Sequence, residues 1–524
     1  MTDDKGVTAY DEIPYTSSPY SESTPANCHS IARLFKLDPP DFRSAACLEL
    51  GCASGGNSIP LAYCFPDASF VGIDLSGTQI DVGQKQIEEL KLTNIELRKM
   101  SILDADGSLG PFDYIICHGV FSWVDSAVQE KILSLCGELL SPGGVAYVSY
   151  NTLPGWNTVR SIRDMMKFHT NDITDPQNKA QQARAVLDFV LAGLQADDTP
   201  YANFLREEAK ILAEVQDNYL LHDHLEVENN PVYFYQFINM AGRHNLQYLA
   251  DTSVSTMFTG NLPKETAGKL QGLSSLINIE QYMDFIRNRR FRRTLLCRKE
   301  QQIQRNIDTR DIENFYLSTP LKTTEVISEQ QINSQAAIQF ASGGLTFKLE
   351  EPLAKQAFVH LLHQHGKPLH FNDLCQYLQQ KSQLELDAIK DYLCNKVYLT
   401  RLLFAGAINI HSDAGLATTM VTDPPITSGL ARYQAALGTS VTNLRHQTVK
   451  LQDPDRLVLQ HADGTKSARD LATLLAERIV AGEFKLELNS QEISDAGSVQ
   501  QQCQLYLPQL MQRFAANGLL VHEE

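Results

Sequence analysis

The chain lacks any apolar run long enough to span a bilayer, and Met1 to Ser30 is polar and acidic, without the apolar stretch of a signal peptide. These absences argue against stable membrane insertion and favour a cytoplasmic protein. It also lacks a C-x-x-C pair. Its 10 cysteines are scattered, and Cys47, Cys117 and Cys297 sit in strand-like runs, as expected of buried free thiols in a reducing compartment. Positive charge is scarce: 45 Lys and Arg against 62 Asp and Glu give a formal net charge of -17, so polyanions are repelled overall. A local basic patch exists at Arg287, Arg289, Arg290, Arg292, Arg293, Arg298 and Lys299. Phe291, Leu295, Leu296 and Cys297 interleave with it as in an amphipathic strand with one solvated face, so no nucleic-acid partner is expected.

What is present centres on Cys47 to Asn57, C-L-E-L-G-C-A-S-G-G-N. Ala45 to Leu50 is apolar except for Glu49, the pattern of a central parallel strand. Gly51 and Gly55 bracket a tight turn where backbone N–H groups can approach a ligand, and Ser58 to Phe65 has helical spacing, with Pro60 tolerable in its first turn and Pro66 as its stop. A second strand, Phe70 to Ile73, ends in Asp74, where an acid can accept both hydroxyls of a ribose. Ile95 to Lys99 leads to Ser101 and Ile102. Phe112 to Phe121 reads F-D-Y-I-I-C-H-G-V-F, and S-P-G-G at Ser141 to Gly144 precedes a fifth strand, Val145 to Tyr150.

In this order of elements, with E-x-G-x-x-x-G, the acid after strand two and P-G-G before strand five, the segment resembles the class I S-adenosylmethionine (SAM) methyltransferases. A nicotinamide site would need G-x-G-x-x-G, and Ala53 stands where the second glycine belongs. The resemblance implies SAM as cofactor, held by Glu49, Gly51, Cys52, Ala53, Gly55, Asn57, Asp74, Leu75, Ser101, Ile102, His118 and Gly119. Two departures are informative. Alanine restricts positive φ, so the turn at Ala53 should differ slightly from a glycine turn. Ser101 occupies the place where an aspartate often pairs with adenine, leaving that contact to its hydroxyl and the Ile102 backbone.

Y-D-E-I-P-Y, Tyr10 to Tyr15, with Tyr20 and Pro25, is either a loosely ordered tail or an arm that lays Tyr10 and Tyr15 over the cofactor. Together with G-I-D-L-S, C-H-G-V-F-S-W-V and S-Y-N-T-L-P-G-W it is similar to bacterial methyltransferases carrying a methyltransferase regulatory domain, among them the rickettsial outer-membrane-protein lysine methyltransferases. Strands four and five end at His118-Gly119 and Tyr150-Asn151, and strand ends in a doubly wound sheet face the ligand crevice. His118, Trp123, Asn151 and Trp156 are therefore candidates for the transfer site. Tyr219 and His222 join them, with Tyr15 and His118, as groups able to take a proton, and none stands out as an essential base. His222 and His224 fall on different sides of a helix with no third ligand in register, so no metal is expected.

The fold expected is α/β: a Rossmann-like methyltransferase with a seven-stranded sheet, a helical insertion and C-terminal, mainly helical, winged-helix-like modules. Residues 1–25 form the arm. Residues 26–156 plus 232–300 form the catalytic domain, closed by a helix from Val232 to His244 and strands at Leu246 to Ala250 and Arg293 to Arg298. Residues 157–231 form a helical insertion serving as lid, substrate platform or homodimer contact. A hairpin at Ala337 to Glu350 and helices at Leu353 to Gln364, Phe371 to Gln380 and Leu386 to Leu403 make residues 301–425 a winged-helix-like middle domain. Residues 430–524 form a last small domain. Three functions remain open: a protein-lysine methyltransferase with outer-membrane-protein type substrates, as the resemblance implies; a small-molecule N- or O-methyltransferase; or a SAM-binding interaction protein without turnover.

Overall fold

The computed structural model describes residues 17–195, 197–215, 217–323, 326–342, 345–397, 399–488 and 491–521; Tyr10 and Tyr15 lie outside the described residues. The first helix, α1 (Pro25–Leu34), begins where sequence chemistry places it: Pro25 occupies the first turn and the Thr24 hydroxyl accepts from the Asn27 N–H at 3.2 Å.

The expected seven-stranded sheet is present. β1 (Ala46–Leu50), β2 (Ser69–Asp74), β3 (Ile95–Lys99), β4 (Phe112–Cys117), β5 (Leu140–Asn151), β6 (Leu246–Asp251) and β7 (Phe291–Arg298) lie in the order β3-β2-β1-β4-β5-β7-β6. The first five are parallel and β7 runs antiparallel to both its neighbours. Helices α2 (Ser58–Cys64), α3 (Gly77–Glu89) and α4 (Ser126–Leu139) make the crossovers. Leu48 and Leu50 belong to one apolar layer and Cys47 to another, which explains why β1 reads as an uninterrupted apolar run. β5 departs from expectation. It starts at Leu140, so S-P-G-G is an irregularity within the strand, where the register against β4 shifts between Phe112 and Tyr114.

After β5 come α5 (Trp156–His169), α6 (Pro176–Gly193), α7 (Pro200–Glu214) and α8 (Asp217–His224), which build their own core from Ile162, Met166, Ala183, Leu187, Leu205 and Leu220. The chain then returns to the carboxyl end of the sheet. The Asn230 N–H donates to the Ser122 carbonyl at 2.7 Å, and Val232 bridges to Thr152 beside the end of β5. α9 (Phe234–Arg243), α10 (Lys264–Gln271) and α11 (Leu276–Arg287) complete the region around β6 and β7.

The basic run is not a solvated face. Arg292 is fully buried, with its guanidinium 2.8 Å from Asp284 and 3.0 Å from Glu280, and it stacks 3.8 Å from the centre of the Phe234 ring. Arg289 pairs with Asp251 at 2.6 Å, Arg290 with Glu208 at 2.6 Å and Arg293 with Glu22 at 3.4 Å. Acids on other elements absorb this charge, which period-two patterning could not foresee.

Beyond the sheet, a hairpin (Ile338–Ser342 with Leu345–Leu349), a small sheet (Tyr316–Ser318, Leu369–His370, Asn409–His411) and helices at Pro352–His363 and Phe371–Ser382 follow. The helix expected over Leu386 to Leu403 is broken. Leu386–Asp391 passes into a π turn, Tyr392–Lys396, before Leu399–Phe404; the offset keeps Leu393, Cys394, Leu399 and Leu403 all inside. One continuous apolar core joins α1, the outer face of the sheet and this middle region. The last module, with helices Gly429–Leu437, Asp453–His461, Ala468–Val480 and Ala496–Ala516, has its own core around Val458, Leu475, Leu507 and Phe514.

Candidate active site

At the carboxyl ends of the parallel strands, under the helical insertion, lies a cavity of about 820 Å³. Its floor is the turn after β1. Gly51 has φ +74° and a Cβ there would lie 2.4 Å from Val120, so only glycine fits the close approach. Ala53 was expected to alter this turn by avoiding positive φ. It instead takes φ +48°, the left-handed conformation itself, held by its N–H donating to Asp74 Oδ2 at 2.8 Å. Gly55, φ +76°, does not line the cavity. A Cβ on it would meet Ile59 and Leu97 at 2.9 to 3.0 Å, so this glycine serves packing behind the turn rather than ligand contact.

Glu49, at the end of β1, is buried in the cavity wall. Asn57 Nδ2 donates to its Oε1 at 2.9 Å and the Ser58 hydroxyl to its Oε2. Burial raises its pKa to about 7; the Ser58 and Asn57 hydrogen bonds oppose the rise, and Asp74 adds to it. Asp74 lines the same cavity and also accepts from the Ser76 N–H at 2.9 Å, while Ser76 caps α3. Leu75, Ser101 and Ile102 lie alongside. The Ser101 hydroxyl accepts from the Leu103 N–H at 3.2 Å, so it holds its own turn as well as facing the cavity.

His118 and Gly119 follow β4. The His118 ring stacks on Tyr20 with centroids 3.7 Å apart, its Nδ1 lies 2.8 Å from the Tyr147 hydroxyl, and Gly119 N–H donates to Ser149 Oγ at 2.8 Å. Burial, aided by Arg293, lowers the His118 pKa to about 3, so the imidazole is neutral and a weak proton acceptor. Asn151, at the end of β5, is buried against the cavity; its Nδ2 has no hydrogen-bond partner among the described residues, an orphaned donor of the kind a ligand satisfies.

The segment after β4 and the helices that follow β5 supply the opposite wall. Trp123 and Trp156 meet edge to face at 6.1 Å, the Trp156 indole N–H donates to Asn229 at 2.6 Å, and Arg163 lies 5.3 Å over Trp123. From α8, Tyr219, His222 and Asp223 reach the cavity, and the Tyr219 hydroxyl bonds Asp223 one turn on. Desolvation raises the Asp223 carboxyl to about 6, with the Tyr219 hydrogen bond and Arg163 opposing, and raises Tyr219 out of the physiological range.

One cavity thus gathers Glu49, Gly51, Cys52, Ala53, Asn57, Asp74, Leu75, Ser101, Ile102, His118, Gly119, Asn151, Trp156, Tyr219 and His222. Gln79, Phe291 and Asp223 also line it and were not anticipated. Asp223 carried a signal, four residues after Tyr219 on a helical pattern. His224 is buried in the insertion outside the cavity wall, and no group of three His, Cys, Asp or Glu able to hold a metal occurs among the described residues. No helix among the described residues is long and apolar enough to cross a membrane. The residues present fit SAM: a glycine turn that a Cβ would close, an acid at each of the β1 and β2 ends, and an orphaned buried amide.

Family models match this architecture in three segments. Residues 48–146 match a methyltransferase domain, 216–298 a predicted methyltransferase regulatory domain, and 423–519 the PKMT C-terminal winged helix domain. An uncharacterized protein of Rickettsia prowazekii is 39% identical over 519 residues, covering 98% of this chain and 93% of that one. The structure of PKMT2 from Rickettsia typhi in complex with AdoHcy superposes with a TM-score of 0.90 at 35% identity, covering 97% of this chain and all of that one.

Proposed function

We propose, from the premise that this chain belongs to the family of class I SAM-dependent methyltransferases that carry a regulatory domain and a PKMT winged-helix domain, that its methyl acceptor is the lysine side chain of a protein. It is a SAM-dependent methyltransferase. The observation that carries the lysine reading is the far end of the cavity, where Trp123, Trp156 and Tyr219 stand with the Asp223 carboxylate. Aromatic faces suit an alkyl stem ending in a cation, and a carboxylate can receive its proton. The name of PKMT2, a protein-lysine methyltransferase, supports the same class of acceptor, and the sequence resemblance supports outer-membrane-protein type substrates.

When bound, SAM supplies a methyl group already activated by its sulfonium. The protein's part is to bind, orient and deprotonate. Asp74 would offer carboxylate oxygens to the ribose hydroxyls, Glu49 would receive the amino-acid end, and the stacked Tyr20 and His118 rings line the same cavity. The Trp pair strips water from an incoming amine, which lowers its pKa and holds it for in-line attack. Asp223, ionised above about pH 6, takes the proton; His118, neutral and weakly basic, does not. On the outside of the insertion Phe168, Phe189 and Ile211 are exposed, which supports a homodimer contact there.

Transfer of label from methyl-labelled SAM into a denatured outer-membrane and whole-cell protein fraction, followed by mass spectrometry, tests the acceptor. Methyl-lysine on defined proteins is the expected result. Label confined to small molecules would put the small-molecule reading in its place, and SAM binding without any transfer would leave an interaction protein.

A further inference from the structure

The wall behind Glu49 is completed from the far end of the chain. In the last module, strands Ser440–Thr442 and Thr448–Lys450 form a hairpin. Its turn is folded by Asn443, whose Oδ1 accepts from the Arg445 and Gln447 N–H groups, each at 2.9 Å. At its tip His446 is buried and takes φ +58°, a conformation rarely adopted by a side-chain-bearing residue. The cost of burying an imidazole in that backbone state asks for a reason.

The ring reaches Asn57, 389 residues away in sequence, with Nε2 2.7 Å from Oδ1. The same oxygen takes the Tyr20 backbone N–H at 3.1 Å, while the nearby Ser23 hydroxyl gives its one proton to the Tyr20 carbonyl at 2.9 Å. A backbone N–H can only donate, so this atom is the amide oxygen whatever the histidine tautomer. It follows that His446 donates from Nε2, and that Asn57 Nδ2 faces Glu49, to which it donates at 2.9 Å. His446 also lines a second cavity, about 890 Å³, between α1, the middle region and the last module. It therefore stands in the partition between that cleft and the cofactor cavity.

We propose that His446 is a positioning residue for the cofactor: through Asn57 it holds Glu49 in the orientation that receives the amino-acid end of SAM, which makes the winged-helix module part of the cofactor site. Two donors converging on one amide oxygen, the His446 imidazole N–H and the Tyr20 backbone N–H, polarise the amide, so that its N–H is a stronger donor to Glu49. Loss of the histidine donor leaves the Tyr20 N–H to hold that oxygen alone, so the amide is a weaker donor and Glu49 is less firmly placed. This positioning role concerns cofactor binding alone and is independent of the methyl acceptor.

The test compares His446→Gln with His446→Met in the full chain, side chains of equal length of which only glutamine keeps a terminal N–H donor. Titration calorimetry with S-adenosylhomocysteine is the readout, beside KM for SAM and kcat. His446→Met should weaken binding by about five- to tenfold and raise KM for SAM while kcat at saturating SAM stays within about twofold; His446→Gln should restore affinity to within about twofold of the wild type. Unchanged affinity in His446→Met overturns the proposal. So does equal weakening in both variants, or failure of both to fold, since either would make His446 an interdomain packing residue.

Discussion

Glutamine at position 49 removes a buried carboxyl and so tests the proposal that its proton is coupled to cofactor binding. Glu49 has a folded pKa of about 7 against an ordinary value of 4.5, raised chiefly by desolvation. A carboxyl raised on folding favours the folded state while protonated. Its contribution is fully present below the ordinary value and is lost as pH rises through about 7, on the order of 3 kcal/mol in all. A cationic amino group beside it reverses the preference, because it stabilises the ionised form. Binding should then release a proton below neutrality, and affinity for S-adenosylhomocysteine should fall about fivefold from pH 7 to 6 and nearly tenfold for each unit below. Calorimetry between about pH 5.5 and 7.5, in two buffers of different ionisation enthalpy, measures both the slope and the proton count. Glu49→Gln should bind more weakly and without the slope. A flat wild-type profile would refute the reasoning, and a slope kept by Glu49→Gln would assign the titration to another group.

Three further outcomes are expected. Asp74→Ala should lower affinity for S-adenosylhomocysteine by about 10- to 100-fold, through lost ribose contacts and the orphaned Ala53 N–H; unchanged affinity by calorimetry would remove the ribose assignment. Asp223→Asn should leave that affinity intact while lowering kcat/KM for methyl incorporation into protein by about 100-fold or more. It should also abolish a rise in the wild-type rate as pH passes upward through about 6, and an unaltered pH profile would show that Asp223 takes no proton. Arg292→Met should destabilise the fold by about 3 to 5 kcal/mol in urea denaturation, since Glu280 and Asp284 would be left buried without their cation, and a loss under about 1 kcal/mol would mean these acids are neutral.

The succession of strands and helices was legible in the sequence because it depends on local signals, and the cofactor class followed from the family resemblance that those motifs carry. Period, glycine positions and the acids at the ends of β1 and β2 recur at set offsets, and the carboxyl-end rule brings Glu49, Asp74, His118 and Asn151 to one crevice before any coordinates are known. What was not legible depended on partners supplied by other elements. The basic run read as a solvated face, yet Arg292 is enclosed by Glu280 and Asp284 from α11, which no period-two pattern records. Ala53 was expected to avoid positive φ; Asp74, on the next strand, holds it there. Gly55 looked like a ligand contact and packs against Leu97 instead. His446 carried no signal at all. Its hydrogen bond to Asn57 spans most of the chain and exists only because the last module docks behind the cofactor turn. Local sequence determined which strand ends gather at one crevice; only tertiary packing decided how each charge is buried or answered, because desolvation and ion pairing depend on every element brought alongside.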